Sequence, residues 1–462
     1  MPIRKAEWQT WKKTNIQSSN LLNENVERAY ESLVSERTGI ITYMKEYQAC
    51  NIPLWLCYAK TANFSRYLNF AFSEFSDLLA GAGIGLSQHE ARISALGEAV
   101  ERYAACMFNP EHDLVWASYE SVANMALCPT AFTLPSETEL KRFPQLARFH
   151  SATPIGWAKG RRWPNGEQIL APASFVYANY KFRSRAESFA PGISTGLAAG
   201  PTWEQAILSG LCECIERDAF MITYLNRLPV PEIALNNVNS SLVQNLLDRV
   251  PPWKQERIRA WNITLDIDVA TVVAATIGDG ETAPAVAFGA ATHVNPEIAL
   301  YKAIIESMHT SSWLTDKIFN EYKSHDFALD FSDVLTRRDH LGLASQARCL
   351  GYLKWLLDDR ELVNCESLPN LSGGTPTQEL VRLIEIVRQA GLEIAVFDLT
   401  TPDVKQAGFY VCRVLVPGQQ HLMFGPVRLL GGKRLYNVPW QLGYTEKPTN
   451  EASINPIPHP FP

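Results

Sequence analysis

Two nine-residue stretches gather the side chains most able to do chemistry. Ser94-Ala-Leu-Gly-Glu98-Ala-Val-Glu101-Arg102 and Ser209-Gly-Leu-Cys-Glu213-Cys-Ile-Glu216-Arg217 share the pattern S-x-L-x-E-x-[VI]-E-R. In a helix, Ser at i, Glu at i+4, Glu at i+7 and Arg at i+8 lie on one face, and the aliphatic residues lie on the other. Two such helices facing each other would bring four carboxylates together. Like charges converge in this way only around a cation. Mg²⁺ suits the arrangement, because it binds through a few carboxylates and fills its shell with substrate phosphates and water. The arginines could meet phosphate oxygens. A single E-x-x-E-R run would read as a solvated face with an i,i+4 salt bridge. The second copy, with the same serine and the same glycine-rich entry, points to a shared site.

The elements that must position these residues also repeat. Gly85, Ser87, Glu90 and Ala91 align with Gly200, Thr202, Gln205 and Ala206. Ser87-x-x-Glu90 and Thr202-x-x-Gln205 fit capping boxes. The glycines of Gly81 to Gly85 read as a turn; no GK[ST] follows, so they are not a phosphate-cradling P-loop. A weaker third copy runs from Ala299 to Glu306, where His309 and Thr310 replace the second Glu and the Arg. Its helix starts at Asn295-Pro296, with Asn as cap and Pro at the first position. Strands are expected at 36–47, 51–64, around Asn165-Gly166, in a hairpin about Asp279-Gly280, and in LEIAVFDLT and GFYVCRVLVPG. Residues 320–392 read as mostly helical. The fold class is therefore α/β (α+β), with related α/β units in which helices pack on mixed sheets. The expected division is a helical lead-in at 1–36, a catalytic domain at 37–446 with repeats at 81–108, 196–225 and 289–311, and a proline-rich tail at 447–462.

Composition narrows the functional classes. The 462 residues carry 42 Lys plus Arg against 48 Asp plus Glu, a net charge of −6. That disfavours a general nucleic-acid binder. The polar start MPIRKAEWQTWKKTN has no apolar signal core, and VATVVAATIG is too short to span a bilayer. Nine cysteines without a CxxC read as reduced thiols of a cytoplasmic protein. Cys212 and Cys214 point to different helix faces and cannot chelate one ion together. Glu306-x-x-His309 reads as an ordinary polar face, and Asp266 and Asp268 as strand-end solvation. There is no HExxH or kinase signature. The last seven residues, Pro456-Ile-Pro458-His-Pro460-Phe-Pro462, alternate proline and so favour an extended segment able to carry side chains to a fixed place.

Taken together, SALGEAVERY (94–103), GISTGLAAG (192–200), EQAILSGLCECIERDAF (204–220), RVLVPG (413–418), Arg434-Leu-Tyr436 and the terminal PHPFP resemble the YcaO proteins. Within them, the likeness is to the azoline-forming cyclodehydratases. The resemblance covers most of the chain, from about Arg37 onward. It implies ATP held through Mg²⁺, with Glu98, Glu101, Glu213 and Glu216 as metal and phosphate ligands and Ser94, Arg102 and Arg217 beside them. Gln205 stands where many members have Glu and is carried as a possible ligand. Ile84 replaces a common Lys, and Ser311 departs from the usual third helix.

The chemistry implied is cyclodehydration of Cys, Ser or Thr in a ribosomally made precursor peptide. The Pro458-Pro460-Pro462 ending implies a catalytic tail, with the Pro462 carboxylate as acid/base or orienting group. A short N-terminal segment implies a leader-peptide-binding partner of the E1-like kind, the resemblance extends the expected partners to an FMN-dependent azoline dehydrogenase, and a homodimer is the family expectation. Thioamide formation and a non-catalytic scaffold are the rival readings.

Overall fold

The structure, a computed structural model, describes residue 29 and residues 32–48, 52–63, 80–189, 192–358 and 360–462. Most of the expected lead-in at 1–36 lies outside the described residues. In chain order the chain forms β1 (Ile41–Gln48), β2 (Trp55–Thr61), β3 (Ala80–Gly85) and helix α1 (Gln88–Cys106). It continues with β4 (Leu114–Ser118), β5 (Pro154–Trp163), β6 (Gln168–Pro172), β7 (Leu197–Gly200) and α2 (Trp203–Asn226). Next come β8 (Glu232–Ile233), β9 (Ile258–Asn262), β10 (Thr271–Ile277), β11 (Val286–Thr292) and α3 (Pro296–Lys317). The last elements used below are α4 (Arg337–Ala344), β12 (Leu362–Val363), α5 (Pro376–Gln389), β13 (Ile394–Asp398), β14 (Tyr410–Leu415) and α6 (Arg434–Gln441).

Three sheets result: β1-β2-β3, β11-β10-β9-β8-β12, and β4-β5-β13-β14-β7 with β6 paired to β5. Each of the three repeats is a strand, a capped entry and a long helix. Ser87, Thr202 and Asn295 are the caps, each accepting a backbone N–H of the first helical turn. The Ser87–Glu90 box is complete as expected. Residues 320–392 are broken into short helical segments, and α5 is the long one among them.

The glycine-rich entry is a correction. Gly81 to Gly85 lie in strand β3, not in a turn. The reason is proximity: a Cβ on Gly83 would overlap the Ala91 carbonyl and the Ala95 amide of α1. The same close approach recurs where β11 meets α3, with Gly289 against Ala303 and Ser307.

Alternation along the six-stranded sheet separates its two faces. Ala395, Phe397, Val411 and Leu415 join the core containing α1 residues Ala95, Leu96 and Val100. Val396, Cys412 and Val414 join the core containing α2 residues Ile207, Leu211 and Ile215 and α5 residues Leu383 and Val387. Each such fully buried aliphatic side chain contributes roughly 1.5–3 kcal/mol. Edge strand β7 contacts both α1 and α2, so the polar faces of those helices meet beyond that edge. The cysteines among the described residues are free thiols. Among those residues, no helix is long and apolar enough to cross a membrane.

Candidate functional site

Three glutamates at equivalent positions each take a backbone N–H from the strand of their own repeat or from the turn just before it. Glu98 accepts from Ala82 at 2.5 Å, Glu213 from Gly196 at 3.0 Å and Glu306 from Ala290 at 2.8 Å. The glutamates thus lock strand to helix in every unit. Arg102 pairs with Glu98 and also donates to the Ala80 carbonyl at 2.6 Å. Arg217 lies 3.6 Å from Glu213 and 3.3 Å from Glu216.

Glu216 reaches from α2 to the third repeat and accepts the Thr292 N–H at 3.2 Å. It therefore sits on β11 two residues from the N–H held by Glu306. This overturns the reading of Glu306-x-x-His309 as an ordinary polar face. Burial raises the Glu306 carboxyl above its ordinary value, Arg217 opposes the rise, and the Glu213 and Glu98 charges add to it. Burial holds His309 neutral, down to about 4.

The remaining carboxylates share that field. Burial, then the charges of Glu213 and Glu98, push Glu101 well above the usual carboxylate range. Burial raises Glu216 to about 8 against the pull of Arg217, with Glu306 and Glu213 adding to the rise. Five carboxylates thus face three guanidiniums, those of Arg102, Arg217 and Arg413. Arg413 is fully buried on β14 and donates to the carbonyls of Val176, Ile193, Ser194 and Thr195. It thereby shapes the loop that presents Gly196 to Glu213, and its charge reaches Glu213 and Glu101.

Excess buried negative charge is what a divalent cation relieves. The donor set fits Mg²⁺ with nucleotide in a particular way. Among the described residues, no three Asp, Glu, His or Cys side chains converge as ligands of one ion. Glu98, Glu213, Glu216 and Glu306 each accept a backbone N–H through one oxygen, which leaves lone pairs on the carboxylates for a cation. Mg²⁺ takes one or two carboxylates and completes its shell with phosphate and water, which leaves pairs of these glutamates sufficient. The Arg217 terminal nitrogen that pairs with Glu216 at 3.3 Å is buried and makes no hydrogen bond, so its charge stays turned toward the carboxylates.

Ser94 is exposed, one turn before Glu98 on the same helix face. Gln205 sits in the first turn of α2, where its backbone N–H and amide oxygen both engage the Thr202 hydroxyl. It is two turns, about 12 Å, before Glu213.

The tail is packed. Phe461 is fully buried against Phe220, with ring centroids 4.8 Å apart, and Arg217 stands 4.3 Å from the Phe461 ring. The Tyr224 hydroxyl donates to the Pro458 carbonyl at 3.0 Å. His340 on α4 accepts the Gly425 N–H through Nε2, so its Nδ1–H donates to the His459 carbonyl. His459 Nε2 in turn donates to the Met423 carbonyl. Pro460 is buried, and Pro458 and Pro462 are half-buried.

Sequence reasoning missed Glu306, Arg413 and one ion-pair network. Arg434 on α6 binds Asp218 at 2.6 Å and Asp266 at 2.7 Å. Asp266 is therefore an ion-pair partner rather than strand-end solvation. The third repeat copy was the signal for Glu306, and a lone arginine in the apolar run GFYVCRVLVPG was the signal for Arg413. A groove of about 470 Å³ on the six-stranded sheet, lined by Lys159, Arg161, Trp163 and Trp203, shares no residue with the cluster.

Residues 82–420 match the family described as YcaO cyclodehydratase, ATP- and Mg²⁺-binding. The chain belongs to the YcaO family. The match runs through α1, α2 and α3 and thus through every carboxylate of the cluster. A protein of Methanothermobacter thermautotrophicus with no assigned function is 27% identical over 362 residues, 77% of this chain and 84% of its own length. A heterocyclase in complex with substrate and cofactor superposes with a TM-score of 0.75 at 25% identity, over 95% of this chain and 57% of that one. The YcaO chain thus spans little more than half the length of that heterocyclase. A chain of the E. coli microcin synthetase McbBCD complex shares the fold, with a TM-score of 0.57 at 14% identity over 82% of this chain and 88% of its own.

Proposed function

We propose that this YcaO protein is an ATP-dependent cyclodehydratase that converts Cys, Ser or Thr residues of a ribosomally made precursor peptide into thiazolines or oxazolines. The observation that carries the reading is the half-buried cluster of Glu98, Glu101, Glu213, Glu216 and Glu306 around Arg102 and Arg217. Such a cluster is suited to Mg²⁺ and phosphate and holds no activated nucleophile. The substrate supplies the nucleophile: a thiol or hydroxyl adds to the preceding backbone carbonyl, the resulting oxygen takes the γ-phosphoryl group of ATP, and phosphate leaves as the ring becomes an azoline. The protein's part is positioning and charge neutralisation. Arg217 spans both tasks, with one edge toward the carboxylates and its face over the tail.

The tail residues Pro458, Pro460 and Pro462 carry the peptide-facing role in this reading. Phe461 lies under Arg217, and in this reading the adjacent Pro462 orients the peptide amide. Packing of the tail into the core favours cyclodehydration over thioamide formation. The partners proposed are the precursor peptide, an E1-like leader-binding protein, a second copy of this chain and an FMN-dependent dehydrogenase that oxidises azolines. The McbBCD assembly supports the idea of partner subunits.

Mass spectrometry tests the proposal. A Cys/Ser/Thr-rich peptide encoded nearby, incubated with this protein, its neighbouring gene products and Mg²⁺-ATP, should lose one water per modified residue. An unchanged mass in the complete mixture would overturn the reading.

A further inference from the structure

The loop from Gly418 to Leu422 crosses α2 at the residue after Arg217. There the Gln420 N–H donates to Asp218 at 2.6 Å, while the Gln420 side chain turns away to the Arg428 and Leu429 carbonyls. The flanking residues Gln419 and His421 are 2% and 5% exposed. Among the described residues, they are the only two side chains with two buried hydrogen-bonding atoms that both lack a partner. Folded proteins leave few buried polar atoms unpaired, and each such atom calls for an occupant or an explanation. Two of these side chains flanking one anchored residue form a built feature.

Its place is set by the Gln420–Asp218 hydrogen bond, which seats the pair against α2 one residue beyond Arg217 of the carboxylate cluster. The Arg413 charge acts on His421, Glu101 and Glu213 alike. Burial and Arg413 together hold the His421 ring neutral, down to about 4. The ring then offers one N–H donor and one bare nitrogen acceptor, and the Gln419 amide likewise offers a donor and an acceptor. A phosphate would match donors alone and a metal ion acceptors alone. A peptide group, with its C=O and N–H, matches both.

We propose that Gln419 and His421 hold the backbone amide of the peptide segment being processed. This rests on the cyclodehydratase reading. The two side chains fix the reacting carbonyl at the edge of the phosphate-binding cluster, and they are specificity determinants for an amide over other carbonyl compounds.

Calorimetry separates this role from turnover. Wild type, His421→Phe, Gln419→Leu and His421→Gln are each saturated with Mg²⁺ and the non-hydrolysable analogue AMPPCP. Each is then titrated with synthetic peptides carrying Gly-Cys steps. The apolar variants remove unpaired buried atoms, so their thermal stability should hold or rise, and AMPPCP affinity should stay within about threefold of wild type. Their peptide affinity should fall roughly 10–100-fold, the loss of one or two buried hydrogen bonds, with His421→Gln recovering most of it. Equal peptide affinity in all four proteins would overturn the proposal and leave a buried water as the occupant. Absence of peptide binding by wild type would also overturn it. Peptide binding that depends on these residues, without loss of water when ATP replaces AMPPCP, would sink the cyclodehydratase reading and keep the amide site.

Discussion

Arg217 and Phe461 are stacked, the guanidinium carbon 4.3 Å from the ring centroid. The contact joins a residue of the charged cluster to the second-last residue of the tail. It is a cation–π pair in a buried place, where such pairs are worth about 2 kcal/mol. Phe461→Ala should therefore release the tail. The expected outcome is loss of peptide cyclisation by two orders of magnitude, with Mg²⁺-nucleotide affinity changed less than about threefold, as large-to-small core changes act mainly on the local packing. A residue appended after Pro462 should act the same way. Equal rates from the appended protein would remove Pro462 from the chemistry.

Glu98→Gln and Glu213→Gln test the charge. Glutamine keeps an oxygen to accept the Ala82 or Gly196 N–H, so strand and helix stay locked and melting temperature should move by only a few degrees. Each variant removes one negative charge facing Mg²⁺-nucleotide and should lower ATP-dependent turnover at least about 100-fold, the scale of losing a preorganised electrostatic contact. Unchanged turnover would refute the metal and phosphate assignment.

Metal binding should be linked to proton release. Glu216, raised to about 8, holds a proton at neutral pH in the ion-free protein, and Glu101 and Glu306 are shifted in the same direction. A cation favours their ionised forms, so Mg²⁺ affinity should rise from pH 6 to pH 8. Calorimetry in buffers of different ionisation enthalpy should show protons released on binding. A pH-independent affinity with no proton release would contradict the shared field of these carboxylates.

Tail docking should fail in acid. Burial lowers His340 to about 4, and burial with the His340 charge lowers His459 well below its ordinary value. The folded state therefore binds fewer protons than the unfolded state below pH 6.5. The stabilisation from neutral imidazoles is fully present above 6.5 and is lost as pH falls toward 4; for His340 it amounts to at most about 3 kcal/mol. Raised carboxylates act in the opposite sense, so the measurement is the difference in denaturation midpoint between wild type and His340→Asn. That difference should shrink as pH drops from 7 to 4.

The Arg434 network should be unforgiving. Arg434→Leu strands Asp218, 2% exposed, beside Asp266 without a cation. Breaking a buried pair on one side costs about 3–5 kcal/mol, and chemical denaturation should show it. A companion change of Asp218→Asn and Asp266→Asn should restore part of the loss.

Much of this was readable from residue types because helical spacing is rigid. Glu98, Glu101, Glu213 and Glu216 had to share faces with their arginines once the helices formed, and Ser87-x-x-Glu90 fixed where the first one starts. Contacts between distant segments left weaker traces. Gly83 looked like a turn because its reason lies in Ala91 and Ala95, which come closest only after α1 folds back over β3. Asp266 found Arg434 across 168 residues, a pairing that no local pattern announces. Glu306 was visible as a third-copy match, but its burial depends on Glu216 reaching the same strand.

The three repeats also differ in an instructive way. All three keep the glutamate that fastens helix to strand, whereas the second acid and the arginine stand in only two. Fastening and charge are thus separable within one strand-and-helix unit. The third unit keeps the fastening without a second acid or an arginine, and it stands as the wall against which the two arginine-bearing units are set.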